Sequence, residues 1–239
     1  METLPVKLLS RYAIAANTMA FELEKPEGYT FVAGQHTVVS LPELRYDDKR
    51  GSTRPFTIAS APGADTILLV TRQTGSGFKK TWQELPLGSE IQITKASGDL
   101  VLEENEPAVF ITGGIGITPF RSMILDIYHR QLDTPVHLFY SNKNAEAAAF
   151  HSFFTRLTKD FDALEYVPTM TEINHYHNDW NGEKRKIDES FIRDYVQDIP
   201  VPFYYISGPP SMVTDLSGIL ETLGIEKEKV KTESFYGYD

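Results

Sequence analysis

The sequence predicts two domains of different fold class, an N-terminal antiparallel β-barrel and a C-terminal α/β domain with a doubly wound parallel sheet. Short segments rich in β-branched and aromatic residues recur through the first hundred residues. After residue 107, apolar segments alternate with helical patterns. The acidic stretch from Glu103 to Pro107 separates the two patterns. We therefore predict domains at residues 1–104 and 105–239.

The barrel is predicted from short strands with turn signals between them. The strands are expected at residues 6–9, 20–24, 36–41, 57–59, 66–72 and 90–94. Clusters of Gly, Pro and Asp separate them, and short strands at such regular spacing are typical of a barrel or a sandwich. One short helix is predicted at residues 78–84, because the following Leu85-Pro86 pair disfavours helix.

The second domain is predicted from alternating strands and helices. Strands are expected at residues 108–112, 136–140, 164–168, 203–207 and 229–234, and helices at residues 120–130, 145–159 and 211–223. Because each strand after the first follows a long connection, this alternation predicts a parallel sheet. The polar segment 171–186 is interpreted as a loop that leaves the sheet.

The composition excludes several kinds of protein. The chain has no cysteine, which excludes disulfides, thiol catalysis and a Cys-ligated iron–sulfur cluster within it. The formal net charge of −10 argues against non-specific binding of nucleic acid. No window approaches the roughly 20 apolar residues of a membrane helix, and the first residues do not resemble a secretory signal. We expect a cytoplasmic protein without membrane insertion.

A glycine-rich turn, residues 112–119, connects a predicted strand to a predicted helix. It contains Gly113, Gly114 and Gly116. Glycine allows close approach of the backbone, while Thr118 is expected to cap the helix and Pro119 to take its first position. A helix N-terminus reached in this way suits a phosphate, although the spacing is not the G-x-G-x-x-G fingerprint of Rossmann dehydrogenases. A purely structural turn is the alternative.

A second turn of this kind follows the strand predicted at residues 203–207. Gly208 turns the chain, and Ser211 is expected to cap the next helix. Ligands of doubly wound sheets bind at the carboxyl ends of the strands, where both turns are predicted to lie. A tight structural connection is again the alternative.

A cation, an aromatic ring and a hydroxyl stand together at Arg54-Pro55-Phe56-Thr57. The forked donors of arginine suit a phosphate. In a strand, Arg54 and Phe56 share one face while Thr57 faces the other. By composition alone, this would be a plain strand with an exposed Arg and a buried Phe. Further along, the flexible turn Gly75-Ser76-Gly77 could offer backbone N–H groups to a second phosphate oxygen.

Taken together, these motifs resemble the ferredoxin–NADP⁺ reductase superfamily, in which a flavin-binding barrel precedes a nicotinamide-nucleotide domain. The resemblance covers essentially the whole chain. It rests on Arg54-Pro55-Phe56-Thr57, Gly75-Ser76-Gly77-Phe78-Lys79, Gly113-Gly114-Ile115-Gly116-Ile117-Thr118-Pro119, Gly208-Pro209-Pro210-Ser211-Met212 and Glu233-Ser234-Phe235. The five segments in this order are far more specific than any one of them.

The resemblance implies that the barrel binds FAD. The implied contacts are Arg54, Pro55, Phe56, Thr57, Arg72, Gly77, Phe78 and Lys79. Arg54 would bind the pyrophosphate, Phe56 would stack on the isoalloxazine, and Thr57 would form a hydrogen bond near flavin N5. The family usually has Tyr at the position of Phe56, so one hydrogen bond of that hydroxyl is missing here.

The resemblance also implies that the second domain binds NADPH or NADH. The implied contacts are Thr112, Gly113, Gly114, Gly116, Thr118, Pro119, Ser141, Lys143, Gly208, Pro209 and Met212. NADPH users generally carry Ser and Arg near Ser141 and Lys143, and the Arg is missing here, which leaves the choice of nucleotide open. Glu233 and Phe235 match a C-terminal pattern beside the flavin, and with Thr57 they are the implied catalytic residues.

A metal site is not expected from the sequence. His175 and His177 lie two positions apart in the polar loop, but no further ligand is evident nearby.

The expected function is that of an FAD-dependent NAD(P)H oxidoreductase. A hydride would pass from nicotinamide to flavin N5, and electrons would then pass to an external acceptor such as a ferredoxin, a flavodoxin or another small soluble carrier. Two alternatives stay open: an electron-transfer subunit of a larger redox complex, and a non-catalytic nucleotide-binding module.

Overall fold

The computed structural model describes residues 2–172, 180 and 182–237. It contains two compact units. The first runs to Leu102 and also takes in Thr118–Asp126, and the second comprises Glu103–Ile117 and the residues from Ile127 onward. The first unit is built on an antiparallel sheet and the second on a parallel sheet, which confirms the predicted fold class.

The first unit is a six-stranded antiparallel barrel. Its strands are β1 (Thr3–Ala15), β2 (Thr18–Glu24), β3 (His36–Ser40), β4 (Thr53–Thr57), β5 (Thr66–Arg72) and β6 (Glu90–Thr94), in the order β4-β3-β6-β1-β2-β5. A bridge between Ile58 and Leu69 joins the two edge strands. The Ala59 N–H donates to the Leu68 carbonyl at 2.8 Å, so the edges close on each other.

One helix, α1 (Gly77–Glu84), supplies large aromatic side chains to the barrel core. Phe78 and Trp82 are fully buried, and the Trp82 ring stacks on Phe21 with centroids 4.1 Å apart. Aromatic pairs of this geometry add about 0.5–1.5 kcal/mol beyond the burial of their area. The core therefore fixes where the N-terminus of α1 lies within this unit.

The second unit is a five-stranded parallel sheet with helices. Its strands are β7 (Ala108–Gly113), β8 (Val136–Asn142), β9 (Leu164–Met170), β10 (Phe203–Gly208) and β11 (Val230–Ser234), and its helices are α3 (His151–Leu157), α4 (Glu189–Tyr195) and α5 (Pro210–Thr222). Helix α2 (Ile117–Arg130) is divided between the units, with Thr118–Asp126 assigned to the first and its two ends to the second. The strand order is β11-β10-β7-β8-β9. The chain moves outward from β7 in one direction and returns to β10 on its other side. Ligands of such sheets bind at this reversal.

Several local predictions are wrong. Helix α2 begins at Ile117 after a short 3₁₀ turn, Gly114–Gly116, so Thr118 and Pro119 are its second and third residues rather than its cap and first position. Likewise α5 begins at Pro210, so Ser211 does not cap it. Before α2 the 3₁₀ turn already has helical geometry, whereas Pro209 before α5 is extended and Pro210 takes the first helical position.

Two further boundaries differ from the prediction. The helix expected at residues 145–159 is broken, because Phe150 adopts φ +61° between a 3₁₀ turn and α3. The strand expected at 57–59 is β4, which instead covers Thr53–Thr57. Among the described residues, no helix has the length and apolar character needed to cross a membrane.

Candidate functional site

The glycine turn after β7 is a site of very close backbone packing. Gly114 has φ +54°, in the left-handed region that glycine tolerates best. A Cβ on Gly116 would lie 2.3 Å from the Ser207 carbonyl oxygen and 2.8 Å from Thr112 Oγ1. A side chain at Gly116 would therefore separate β7 from β10. The glycines are needed here for packing as well as for any ligand.

Two buried hydroxyl groups lie beside this turn. Thr112 and Ser207 are partners in the β7–β10 ladder, so their side chains point to the same face of the sheet. Both residues are fully buried, and among the described residues neither hydroxyl oxygen has a hydrogen-bond partner. Buried polar groups are nearly always paired, so two orphaned hydroxyls at the carboxyl ends of neighbouring strands indicate a ligand site.

The turn after β10 lies directly against the turn after β7. A Cβ on Gly113 would be 2.6 Å from Met212 Sδ, and one on Gly208 would be 3.2 Å from the same atom. The Phe235 N–H donates to the Gly208 carbonyl at 2.9 Å. Glu233 is the ladder partner of Ser207 on β11. These contacts bring together residues that were predicted separately from the sequence, namely Gly113, Gly208, Met212, Glu233 and Phe235.

The end of β8 carries the residues predicted to distinguish the two nucleotides. Lys143 Nζ lies 3.3 Å from Glu172 Oε1, and both side chains are mostly exposed. The Glu172 N–H donates to the Lys143 carbonyl at 2.9 Å, which holds the two residues side by side. Between Ser141 and Lys143, Asn142 is buried, and neither of its amide atoms has a partner among the described residues.

In the barrel, Arg54 is engaged by the loop that precedes it. Its Nη1 group donates to the carbonyls of Arg50, Gly51 and Thr53 at 2.8, 3.0 and 2.6 Å. Its Nη2 group forms an ion pair with Asp48, and the two side chains are only 8% and 6% exposed. Arg54 is therefore a buried cation whose main partner belongs to the protein.

The N-terminus of α1 is close to the same ion pair. The Phe78 N–H donates to Asp48 Oδ2 at 2.9 Å, and the Arg54 guanidinium lies 5.2 Å from the Phe78 ring centroid. The hydrogen bond from Phe78 is the main reason why the pKa of Asp48 is below its ordinary value, with smaller contributions from Arg50 and Arg54. Burial lowers the pKa of Lys79 to about 8, and repulsion from Arg50 and Arg54 adds to the shift.

Phe56 and Thr57 have different surroundings, as the alternation of a strand requires. The Phe56 ring is 5% exposed and packs on Trp82 and Phe78 with centroids 4.7 and 5.9 Å apart. The expected stacking on a flavin ring thus conflicts with its place in the barrel core. Thr57 is also buried, and its Oγ1 has no hydrogen-bond partner among the described residues. Thr57 is therefore available to a ligand in a way that Phe56 is not.

The other residues predicted in the barrel, Pro55, Arg72 and Gly77, lie in its strands and its helix. Pro55 is an exposed residue of β4, and Arg72 ends β5 opposite Thr18. Gly77 begins α1. Among the described residues, no group of three or more His, Cys, Asp or Glu side chains could hold a metal ion. His175 and His177 lie outside the described residues.

Sequence profiles identify a cofactor-binding domain in each half of the chain. A profile for an FAD-binding domain matches residues 3–117, and a profile for an oxidoreductase NAD-binding domain matches residues 110–217. The order of the two matched domains agrees with the order of the two folds in the structure and with the order of the five sequence motifs. The chain contains an FAD-binding domain followed by an oxidoreductase NAD-binding domain.

The individual proteins that this chain resembles are distant from it in sequence. It is 26% identical over 220 residues to the phenol hydroxylase P5 protein of Acinetobacter pittii, covering 90% of this chain and 60% of that protein. It is 25% identical to a flavohemoprotein of Deinococcus radiodurans, covering 97% of this chain and 59% of that protein. This chain thus spans between half and three fifths of the length of the first curated relatives.

A solved reductase structure has the same fold over nearly its whole length. The ferredoxin NADP⁺ reductase of Neisseria gonorrhoeae, solved with FAD and NADP bound, superposes with a TM-score of 0.82 at 21% identity. The match covers 98% of this chain and 99% of that one.

The residues of this chain fit both cofactors. In the barrel, Arg50, Arg54 and Lys79 place positive charge near the first turn of α1, where an anion is stabilised. In the α/β domain, the orphaned hydroxyls of Thr112 and Ser207 lie beside the glycine turn. Asp48, Ser207 and Asn142 are not among the site residues predicted from the sequence. Ser207 precedes the recognised Gly208 and could have been found by strand register, whereas Asp48 has no signal in its local sequence.

Proposed function

We propose that this chain is an NAD(P)H-dependent flavin reductase that delivers electrons to an acceptor outside it. Three buried hydroxyls without partners among the described residues carry the proposal: Thr57 in the barrel, and Thr112 and Ser207 in the α/β domain. Thr57 lies in one of the motifs that carry the resemblance, and Thr112 and Ser207 directly precede two others. When bound, FAD would supply the hydride-accepting and electron-releasing chemistry at N5, with the nicotinamide as hydride donor.

In the barrel, the protein's part would be to bind and orient. Arg54 and Lys79 would hold the pyrophosphate with the backbone of Gly77 and Phe78, because a helix N-terminus and fixed cations both favour an anion. Thr57 would donate its hydroxyl hydrogen near N5. Pro55 and Arg72 would line the same cofactor. The stacking predicted for Phe56 is not part of this proposal, since its ring packs in the core.

In the α/β domain, the glycine turn would receive the nucleotide phosphates. Gly113, Gly114 and Gly116 would allow the phosphate to approach the backbone, and Thr112 would donate its hydroxyl hydrogen. Thr118 and Pro119, in the first turn of α2, would flank the phosphates. Ser141 and Lys143 would lie toward the adenosine ribose.

The turn after β10 would orient the nicotinamide. Gly208, Pro209 and Met212 would form one wall, and the Ser207 hydroxyl would donate a hydrogen bond to the ring substituent. Glu233, the ladder partner of Ser207, would hold a proton for N5, and Phe235 would shield that position from water. Proton transfer by a positioned side chain of this kind typically contributes about 10²–10⁴-fold to a rate.

The acceptor is proposed to be a separate electron-carrier centre. A small soluble carrier such as a ferredoxin or a flavodoxin is the first candidate, because the superfamily includes reductases for ferredoxin. A second candidate is a redox centre within a larger enzyme. The curated relatives are longer than this chain, and their names include flavohemoprotein and phenol hydroxylase P5 protein, which favours that second candidate.

The decisive experiment is an anaerobic titration. Purified protein, reconstituted with FAD, should be yellow and should lose its flavin absorbance on addition of NADH or NADPH. Thr57→Val should slow that reduction by about 10-fold or more, since it removes a hydroxyl that acts at the reacting position. Thr53→Val, on the exposed side of the same strand, is the matched control. A protein that binds nucleotide but takes up no flavin would refute the proposal.

A further inference from the structure

A carboxylate of the protein occupies the donors that a phosphate would use in the barrel. Asp48 Oδ1 pairs with Arg54 Nη2, and Asp48 Oδ2 accepts the Phe78 N–H at 2.9 Å. Asp48 Oδ1 also accepts the Arg50 N–H at 2.9 Å. Both oxygens of this buried side chain are thus used, on an arginine and on the first turn of a helix.

These donors are the ones best suited to FAD pyrophosphate. Phe78 is the second residue of α1, so its N–H has no acceptor within the helix. The other terminal nitrogen of Arg54 is committed to three backbone carbonyls. An incoming phosphate therefore finds Nη2 of Arg54 and the Phe78 N–H already bonded to one carboxylate.

The segment that carries Asp48 also covers the turn before α1. A Cβ on Gly77 would lie 2.6 Å from the Tyr46 carbonyl oxygen and 2.4 Å from the Asp47 carbonyl oxygen. The backbone of residues 46–47 is therefore in direct contact with the start of the helix. A phosphate can reach the Phe78 N–H from this side only when residues 46–48 move.

We propose that Asp48 is an internal competitor of the FAD pyrophosphate. This inference rests on the proposed function, because it concerns the same FAD site. Binding of FAD exchanges the carboxylate for the pyrophosphate on Arg54 and Phe78, and residues 46–50 leave the helix end. In the flavin-free chain, Asp48 neutralises the buried guanidinium, which would otherwise be an uncompensated charge. The opposite role, in which Asp48 stays in place and orients Arg54 for FAD, predicts opposite results.

The test compares Asp48→Asn with Asp47→Asn in the full flavin-free chain. Asparagine keeps the size of the side chain and an acceptor for Phe78, but it removes the charge that competes for Arg54. Asp47 is an exposed neighbour, so its variant has the same net charge without changing the ion pair. FAD affinity is measured by quenching of flavin fluorescence. Asp48→Asn should bind FAD about tenfold more tightly, the order expected when one charge-assisted hydrogen bond no longer competes.

The wild-type chain gives a second measurement that does not depend on any variant folding. Hydrogen exchange in residues 46–50 should become faster when FAD binds, because the segment loses its contacts with Arg54 and Phe78. Slower or unchanged exchange, or an Asp48→Asn chain with equal or weaker FAD affinity, would overturn the inference while the flavin reductase function stands. A wild-type chain that takes up no FAD refutes the proposed function, and the inference falls with it.

Discussion

The lysine at the start of α1 has a lowered pKa that would link the proposed FAD binding to pH. Lys79 is 7% exposed, and burial together with Arg50 and Arg54 lowers its pKa to about 8. In the folded chain without FAD, the unfolded state therefore binds more protons between about pH 8 and the ordinary value of 10.5. Over that window Lys79 makes folding more favourable as the pH rises. A bound dianion would favour the protonated lysine, so it would oppose the effect that burial has on the pKa of Lys79.

We predict that FAD affinity falls as the pH rises through about 8. In the proposed site the protonated form of Lys79 would bind the pyrophosphate, and the fraction of that form declines above its pKa. The measurement is the dissociation constant of FAD between about pH 7 and pH 9.5. Lys79→Arg is the control, since arginine keeps its charge over this range and should flatten the profile. A wild-type affinity that is constant with pH would contradict the role given to Lys79.

The ion pair at the end of β8 bears on the choice of nucleotide. Glu172 lies 3.3 Å from Lys143 and neutralises a cation that could otherwise hold the 2′-phosphate of NADPH. We predict that Glu172→Gln raises kcat/KM for NADPH relative to NADH by about 2–5-fold, the size of one exposed charge interaction. Lys143→Gln should shift the ratio the other way. Glu221→Gln, on α5, controls for net charge, and equal ratios in all four proteins would exclude this site from nucleotide selection.

At the scale of an element, the contact between the two glycine turns sets the position of β7 relative to β10. Gly116→Ala should destabilise the α/β domain by about 1–3 kcal/mol, because its Cβ would meet the Ser207 carbonyl oxygen at 2.3 Å. Gly218→Ala, within α5 and with no atom within 4 Å of the added Cβ, should instead stabilise by up to ~1 kcal/mol. Urea unfolding of the two variants checks the pair. If the two variants changed the free energy of unfolding by the same amount, the glycine turn would be able to relax around the added Cβ without cost.

The elements that the sequence predicted well are those whose signals are local. Strands β5 and β6 have the predicted bounds, because turn residues flank a continuous run of strand formers. Helix α4 was not predicted, although Asp188 supplies a local signal, accepting the Phe191 N–H as its N-cap. Its seven residues are too short for a clear helical period. The breaks that depend on a single dihedral angle, such as φ +61° at Phe150, have no signal in the sequence.

The candidate site was predictable to the extent that its chemistry is carried by turns. The glycines at 113, 114 and 116 mark their own positions, since few other residues accept such close packing. The partner of Arg54 could not be predicted, because the loop of residues 48–53 folds back on itself through three carbonyl contacts. The core position of Phe56 depends on Trp82, which lies 26 residues later in the chain (82 − 56) and on a different element.

At the scale of the whole molecule, each domain contains carboxylates whose ionised form the fold stabilises. The pKa of Asp48 in the barrel is lowered chiefly by the Phe78 N–H, and the pKa of Glu183 in the α/β domain chiefly by the Tyr195 hydroxyl. The pKa of Asp188 is lowered chiefly by the Phe191 N–H. A carboxylate with a lowered pKa stabilises the folded state above the pKa of the unfolded chain. That contribution is lost as the pH falls through the folded pKa.

We therefore predict that the flavin-free chain loses stability between about pH 5 and pH 3 and that Asp48 accounts for part of the loss. Asp48→Asn should be less stable than wild type at pH 7, by about 3 kcal/mol, because it leaves a buried guanidinium without its counter-ion. Its stability should then fall less steeply with acid, since the group that titrates is absent. Urea unfolding followed at several pH values measures both slopes. Parallel curves for the two proteins would show that the ion pair does not titrate with folding, and the acid sensitivity would then belong to carboxylates other than Asp48.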